Sequence, residues 1–187
     1  MLTLANALQK SGCEVVFNSA EESLYQIKMT AERLELHNPF KLGNVSNIPM
    51  LLKGCDKIRK ANPERPFFLI VDSLQELDDG HFKSGRKTSK TAYRALEHLN
   101  NYCKQTECAL VVIGQVTKSG QMAGSNGIKH LIDAHLHISK EEKDEDLRGA
   151  RILQATKNRF AGCGQIVFLQ MKASGLHEIA RVSDSGL

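Results

Sequence analysis

Residues 67–73 read FFLIVDS, an apolar run that ends in a carboxylate and a hydroxyl. An apolar strand of this kind buries itself and delivers Asp72 to its carboxyl end, where ligands bind in open α/β sheets. There Asp72, with Ser73 beside it in the cofactor-binding pair, can hold a magnesium ion directly or through water. An Asp that only caps the next loop gives the same pattern. Glu21 and Glu22 follow a second short run, EVVFN at 14–18. A carboxylate just past a strand can polarise a water molecule for attack on a γ-phosphate. Glu22 also stands three residues after Ser19, the spacing of a capping box, so Glu21 is the catalytic candidate of the two.

Residues 114–120 read GQVTKSG, directly after the apolar run ALVVI at 109–113. A polar amide at a strand end can sense a γ-phosphate and pass that state to the following loop, and Gln115 has this place. Gly120, Gly124 and Gly127, with Lys118 and Lys129, make the next segment glycine-rich and cationic. Such a segment can order on phosphate backbones, and an ordinary surface loop shares the composition. Residues 157–162 read KNRFAG. Lys157 and Arg159 can clamp phosphates while Phe160 stacks on a base. The same cations can serve as an arginine finger toward a neighbour's nucleotide. Core filling is the other use of a Phe. The sequence contains no G-x-x-x-x-G-K-[ST], the loop whose amides and lysine cradle phosphates.

The elements that must position these groups follow from apolar spacing. Leu2, Leu4, Ala5 and Leu8 end a helix that stops at Gly12. EVVFN reads as a strand, and Ser19 with Glu22 opens a helix carrying Leu24, Ile27, Ala31 and Leu34 on one face. Ser46 caps a helix with Ile48, Leu51, Leu52, Cys55 and Ile58 inward, and Pro63 closes that region. A further helix over about 89–104 buries Ala92, Ala95, Leu96, Leu99 and Cys103. FFLIV and ALVVI are fully apolar strands. This alternation predicts a parallel sheet with helices on its faces. After Gly114 the pattern changes to strands at 135–139, 151–155, 166–171 and 176–182 without intervening helices, an antiparallel extension at one sheet edge. The charged run KEEKDEDLR at 140–148 reads as an exposed hairpin loop.

The length suits one domain with one core, and the apolar and charged contents of 41% and 25% are ordinary for a globular chain. No apolar run nears the roughly 18 residues of a bilayer span, and no leader pattern opens the sequence. The five cysteines, Cys13, Cys55, Cys103, Cys108 and Cys163, include no C-x-x-C pair. They read as free thiols buried in a reducing cytosol, not as a zinc site or disulfide framework. A net charge of +4 permits nucleic-acid contact without demonstrating it.

In their order these segments resemble the RadA/Sms family of DNA-repair proteins. SAEESLYQIKMTAERLEL (19–36) looks like the family's stretch after its second strand, and GQVTKSGQMAGSNGIKHLIDA (114–134) like its loop and helix. RILQATKNRFAG (151–162) is similar to the segment carrying its KNRFG signature. The resemblance runs across nearly the whole chain. It implies a RecA-like ATPase core using ATP and Mg2+. That core forms rings and acts on single-stranded or branched DNA in recombinational repair in the cytoplasm. It matches Asp72 to the Walker B Asp, Glu21 to the catalytic Glu, and Lys157 and Arg159 to cations that handle ATP and DNA across the subunit interface. The sequence departs from the family in lacking its zinc finger, its Walker A loop and its Lon-like domain. Ala161 replaces the last Gly of KNRFG, Gln115 replaces the usual His, and Ser125-Asn126 stands where a basic residue is expected.

On this reading residues 1–187 are a single RecA-like core truncated at its N-terminus. The fold is α/β, a mostly parallel sheet flanked by helices with an antiparallel C-terminal extension. Turnover is expected only with a Walker A segment restored or supplied by a complete partner. One alternative is a non-catalytic protomer that joins complete subunits and offers Lys157 and Arg159 in trans. Another is a DNA-binding module with no nucleotide role.

Overall fold

The computed structural model describes residues 1–81, 87, 90–115, 125–142 and 144–182. They divide into two compact units, 1–131 and 132–187.

The first unit runs α1 (Leu2–Lys10), β1 (Glu14–Ser19), α2 (Leu24–Arg33), β2 (Lys41–Gly43), α3 (Ile48–Ala61), β3 (Phe67–Asp72), α4 (Thr91–Thr106), β4 (Ala109–Ile113) and α5 (Ser125–Leu131). Its sheet is parallel throughout, in the order β2-β1-β3-β4. β1 is buried along its whole length, as is most of β3. Strands covered on both faces need apolar side chains at successive positions, which EVVFN and FFLIV supply. Val15, Phe17 and Ile70 pack with Leu2, Ala5 and Ile27 of α1 and α2. Phe40 meets Phe17 edge-on, ring centroids 6.3 Å apart. α4 packs on β4 and on α3, and its stripe Ala92, Ala95, Leu96, Leu99 and Cys103 is buried as its spacing predicts.

Three local expectations differ from what forms. The box that opens α2 is Ser23 with Gln26, not Ser19 with Glu22. Ser23 Oγ accepts from Gln26 N at 3.3 Å, and Ser23 N donates to Gln26 Oε1 at 2.9 Å. α3 is capped by Asn47, whose side chain accepts from Met50 N at 3.1 Å, while Ser46 gives its carbonyl to Asp78 N. A seven-residue helix, α5, and a three-residue edge strand, β2, stand where the apolar pattern signals neither. Among the thiols, Cys55 and Cys103 are buried, Cys13 and Cys108 are partly exposed and Cys163 is exposed. Burial pushes both buried thiols up to about 12, as suits inert packing groups.

The second unit holds β5 (Ala134–Lys140), β6 (Arg151–Asn158), β7 (Ile166–Lys172) and β8 (Gly175–Val182). They form an antiparallel sheet of their own, in sequence order, rather than lengthening the edge of the parallel one. The charged run lies between β5 and β6, and most of its described residues are exposed. Glu141 N donates to Ala150 O, and Asp144 Oδ1 accepts from Asp146 N at 2.9 Å.

Arg65 fixes the start of β1 against β3. Its guanidinium donates to Gly12 O at 2.8 Å, Cys13 O at 2.6 Å and Glu14 Oε2 at 2.9 Å. The Glu14 side chain is only 4% exposed, so this ion satisfies a buried carboxylate. Removing one partner of such a pair leaves an uncompensated charge, so Arg65→Met is expected to cost about 2–3 kcal/mol in urea unfolding, with an unchanged m value.

Candidate active site

The register of β1 on β3 sets Ser19 opposite Asp72, and Ala20 N donates to Asp72 O at 2.8 Å one step beyond. The chain after β1 is then held by the polar side chains of Ser19, Asn44 and Asn18. Ser19 Oγ accepts from Glu22 N at 3.1 Å. Asn44 Nδ2 donates to Ser19 O and to Glu22 O, both at 2.9 Å. Asn18, fully buried, pairs with the main chain of Val45 through both ends of its amide. Gly43 is needed beside it, because a Cβ there would stand 2.7 Å from Asn18 Oδ1. These contacts fix the backbone from which Glu21 projects.

Glu21 gathers the ends of three neighbouring strands. Its Oε1 accepts from Gln115 Nε2, two residues past β4, at 2.7 Å. The same oxygen accepts a very short bond from Ser73 Oγ, one residue past β3. Ser73 is fully buried, so its hydroxyl is committed to this carboxylate. Among the described residues no donor engages Glu21 Oε2. The sequence-predicted Glu21, Asp72, Ser73 and Gln115 therefore meet at one edge.

The electrostatics there are dominated by carboxylates. Burial raises the Asp72 carboxyl above its ordinary range, and the carboxylates of Glu21 and Glu22 raise it further, against a smaller pull from the Met1 amino group. A half-buried acid crowded by two others is short of positive charge. Carboxylate oxygens are the donor type a divalent magnesium ion takes, but among the described residues no three acidic, His or Cys side chains gather closely enough to hold one by themselves.

The remaining candidates lie elsewhere. Lys157 and Arg159 sit at the end of β6 in the second unit. Lys157 Nζ donates to Ile132 O at 2.7 Å, and Arg159 Nη1 pairs with Asp133 Oδ1 at 2.8 Å. Phe160 is 81% exposed, so core filling is not its role. Lys129 is exposed in the last turn of α5. Lys118 lies outside the described residues. Pattern reading missed Gln75, whose side-chain amide meets the main chain of Gln115, and Asn18 and Asn44, which hold the Glu21 turn. No spacing rule flags a single amide whose partner is distant in sequence.

No family model matches the sequence. Individual relatives match nearly all of it. DNA repair protein RadA of Brucella abortus is 30% identical over 181 residues, 96% of this chain and 38% of that protein. RadA of Streptococcus pneumoniae is 29% identical over 184 residues, and RadA of Helicobacter pylori 32% over 177. The chain is thus similar to RadA proteins along nearly all of its own length. It spans about two fifths of the length of the curated relatives it matches. The chain also has a RecA-like fold. It superposes on a solved ATPase domain with a TM-score of 0.80 at 10% identity, covering 96% of this chain and 79% of that one. It superposes on a KaiC-like protein from Pyrococcus horikoshii with a TM-score of 0.73 at 11% identity, covering 95% and 81%.

The raised Asp72 carboxyl gives the chain a pH signature. A folded-state value above the unfolded one means that the folded chain binds the proton more tightly, so ionising Asp72 costs stability as pH rises through that window. Asp72→Asn is expected to melt at a higher temperature than wild type at pH 7. The gain should shrink as pH falls through the folded value toward the ordinary one. Calorimetry across pH 3–7 checks this, and an Asn variant that melts lower at pH 7 would contradict the charge assignment.

Proposed function

We propose that this chain is the metal- and water-handling part of an ATP-hydrolysing DNA-repair core that acts on single-stranded or branched DNA and works in a ring of subunits. The observation that carries the reading is the convergence of Glu21, Asp72 and Gln115 at the carboxyl ends of adjacent parallel strands. Similarity to RadA proteins over nearly the whole chain supports the DNA-repair setting.

In this reading Asp72 holds Mg2+, which when bound with ATP neutralises the charge that develops on the transferring phosphoryl group. Glu21 acts as the general base. Ser73 and Gln115 occupy one of its oxygens and orient the other toward a water molecule. Gln115, bonded to that carboxylate, is placed to report the nucleotide state to the segment that follows it. Lys157, Arg159 and Phe160 supply cations and a stacking ring to DNA, with Lys118 and Lys129 as further phosphate contacts. The same two cations serve a neighbouring subunit's nucleotide. The sequence supplies no G-x-x-x-x-G-K-[ST] cradle, so turnover requires one from an added segment or a complete partner. Both compact units belong to one core, working in the cytoplasm.

Fusing such a segment ahead of the chain should give DNA-stimulated ATP hydrolysis. Glu21→Gln and Asp72→Asn should each lower it by roughly 10²- to 10³-fold. Turnover that survives both substitutions together would refute the assignment. Independently, binding to single-stranded DNA should weaken with salt. Lys157→Ala combined with Arg159→Ala should reduce the log–log slope by about 1–2, and a slope that does not change would remove these residues from the interface.

A further inference from the structure

The ladder between β3 and β4 ends at the pair Asp72 and Ile113, yet the main chain of Gln115 is still held. Gln75 reaches it from the single 3-10 turn Leu74–Glu76 that follows β3. Gln115 N donates to Gln75 Oε1 at 3.1 Å, and Gln75 Nε2 donates to Gln115 O at 3.3 Å. A carboxamide carries the donor and acceptor of a peptide group, so this side chain stands in for one more strand neighbour. Its base is firm, because Leu74 and Leu77 on either side are 1% and 0% exposed. With the backbone of residue 115 set, the Gln115 side chain reaches Glu21 Oε1 at 2.7 Å.

We infer that Gln75 is a positioning residue for the Glu21–Gln115 pair, acting through the main chain of residue 115. The inference rests on the catalytic reading of that pair given above. It shows how a side chain that touches neither the Glu21 carboxylate nor the Gln115 carboxamide can align the two. An apolar residue at position 75 offers the main chain of residue 115 neither partner. A Glu offers only the acceptor.

The test is amide exchange and side-chain resonances by NMR on the full chain. In Gln75→Ala the Gln115 backbone amide should exchange about tenfold faster than in wild type, the loss of one ordinary hydrogen bond. Its side-chain NH2 signals should move toward those of Glu21→Ala, where the acceptor is gone. Gln75→Glu, which keeps the acceptor, should retain slow exchange at Gln115. Should Gln75→Ala fail to fold, Gln75→Met preserves bulk and serves as the loss variant. Wild-type exchange at Gln115 in the loss variant would overturn the inference. So would acceleration spread evenly over β3, β4 and α4 with a matching drop in Tm, which marks a merely structural role. A fused protein whose turnover ignores Glu21→Gln would remove the catalytic reading yet leave these exchange rates as they are.

Discussion

The parallel pairing of β1 with β3 is the constraint on which the site depends. Side chains alternate along a strand, so a slip of one residue would turn every group to the opposite face. Here the register runs without a break from Glu14 against Phe67 to Ser19 against Asp72. Arg65 secures one end through Gly12, Cys13 and Glu14. The other end is secured by Ala20 N on Asp72 O and by the Asn18 and Asn44 amides. The apolar middle supplies the burial energy and tolerates small changes of shape. The polar ends supply the uniqueness, since each of their bonds exists in one register only.

Three carboxylates near one strand end are a poor choice for stability. Burial, and then the carboxylates of Glu21 and Glu22, penalise the charged form of Asp72 and raise its carboxyl. The surrounding scaffold does not relieve the penalty with an arginine. It gives Glu21 a hydroxyl and an amide on one oxygen, and it gives Asp72 no guanidinium or ammonium side chain among the described residues. Elsewhere the same chain neutralises acids readily: Glu14 has Arg65, and the Asp79 side chain, 2% exposed, has Arg94. The two nearly fully buried acids are thus paired, while half-buried Asp72 and the exposed Glu21 and Glu22 have no basic side chain on them among the described residues.

What the sequence made legible divides along the range of the interactions. Long apolar runs and 3.6-residue stripes are local signals, and β1, β3, β4, α3 and α4 follow them closely. Carboxylates at strand ends could be placed because strand identity and direction already determine where they emerge. The helix starts were harder. Ser19-x-x-Glu22 and Ser23-x-x-Gln26 have the same spacing, and only burial decides between them. Ser19 is fully buried at the end of a strand, so its hydroxyl closes a turn, while Ser23 is exposed and free to cap. β2 is too short to carry a period, and its pairing rests on the Asn18–Gly43 fit. α5 spans seven residues around Gly127 and has Ile128 as its buried apolar anchor, which leaves no stripe to read. Gln75 left no trace at all, because its partner is forty positions away.

The cations of the second unit are held differently from the carboxylates of the first. Arg159 and Asp133 are each about half exposed, and an ion pair in that setting is worth little. Lys157 is satisfied by a backbone carbonyl, a neutral partner. A guanidinium on a deeply buried acid would be rigid but unavailable, and one with no partner would lose rotamer entropy on binding. The end of β6 lies between these limits. Its aromatic neighbour Phe160 remains 81% exposed beside them.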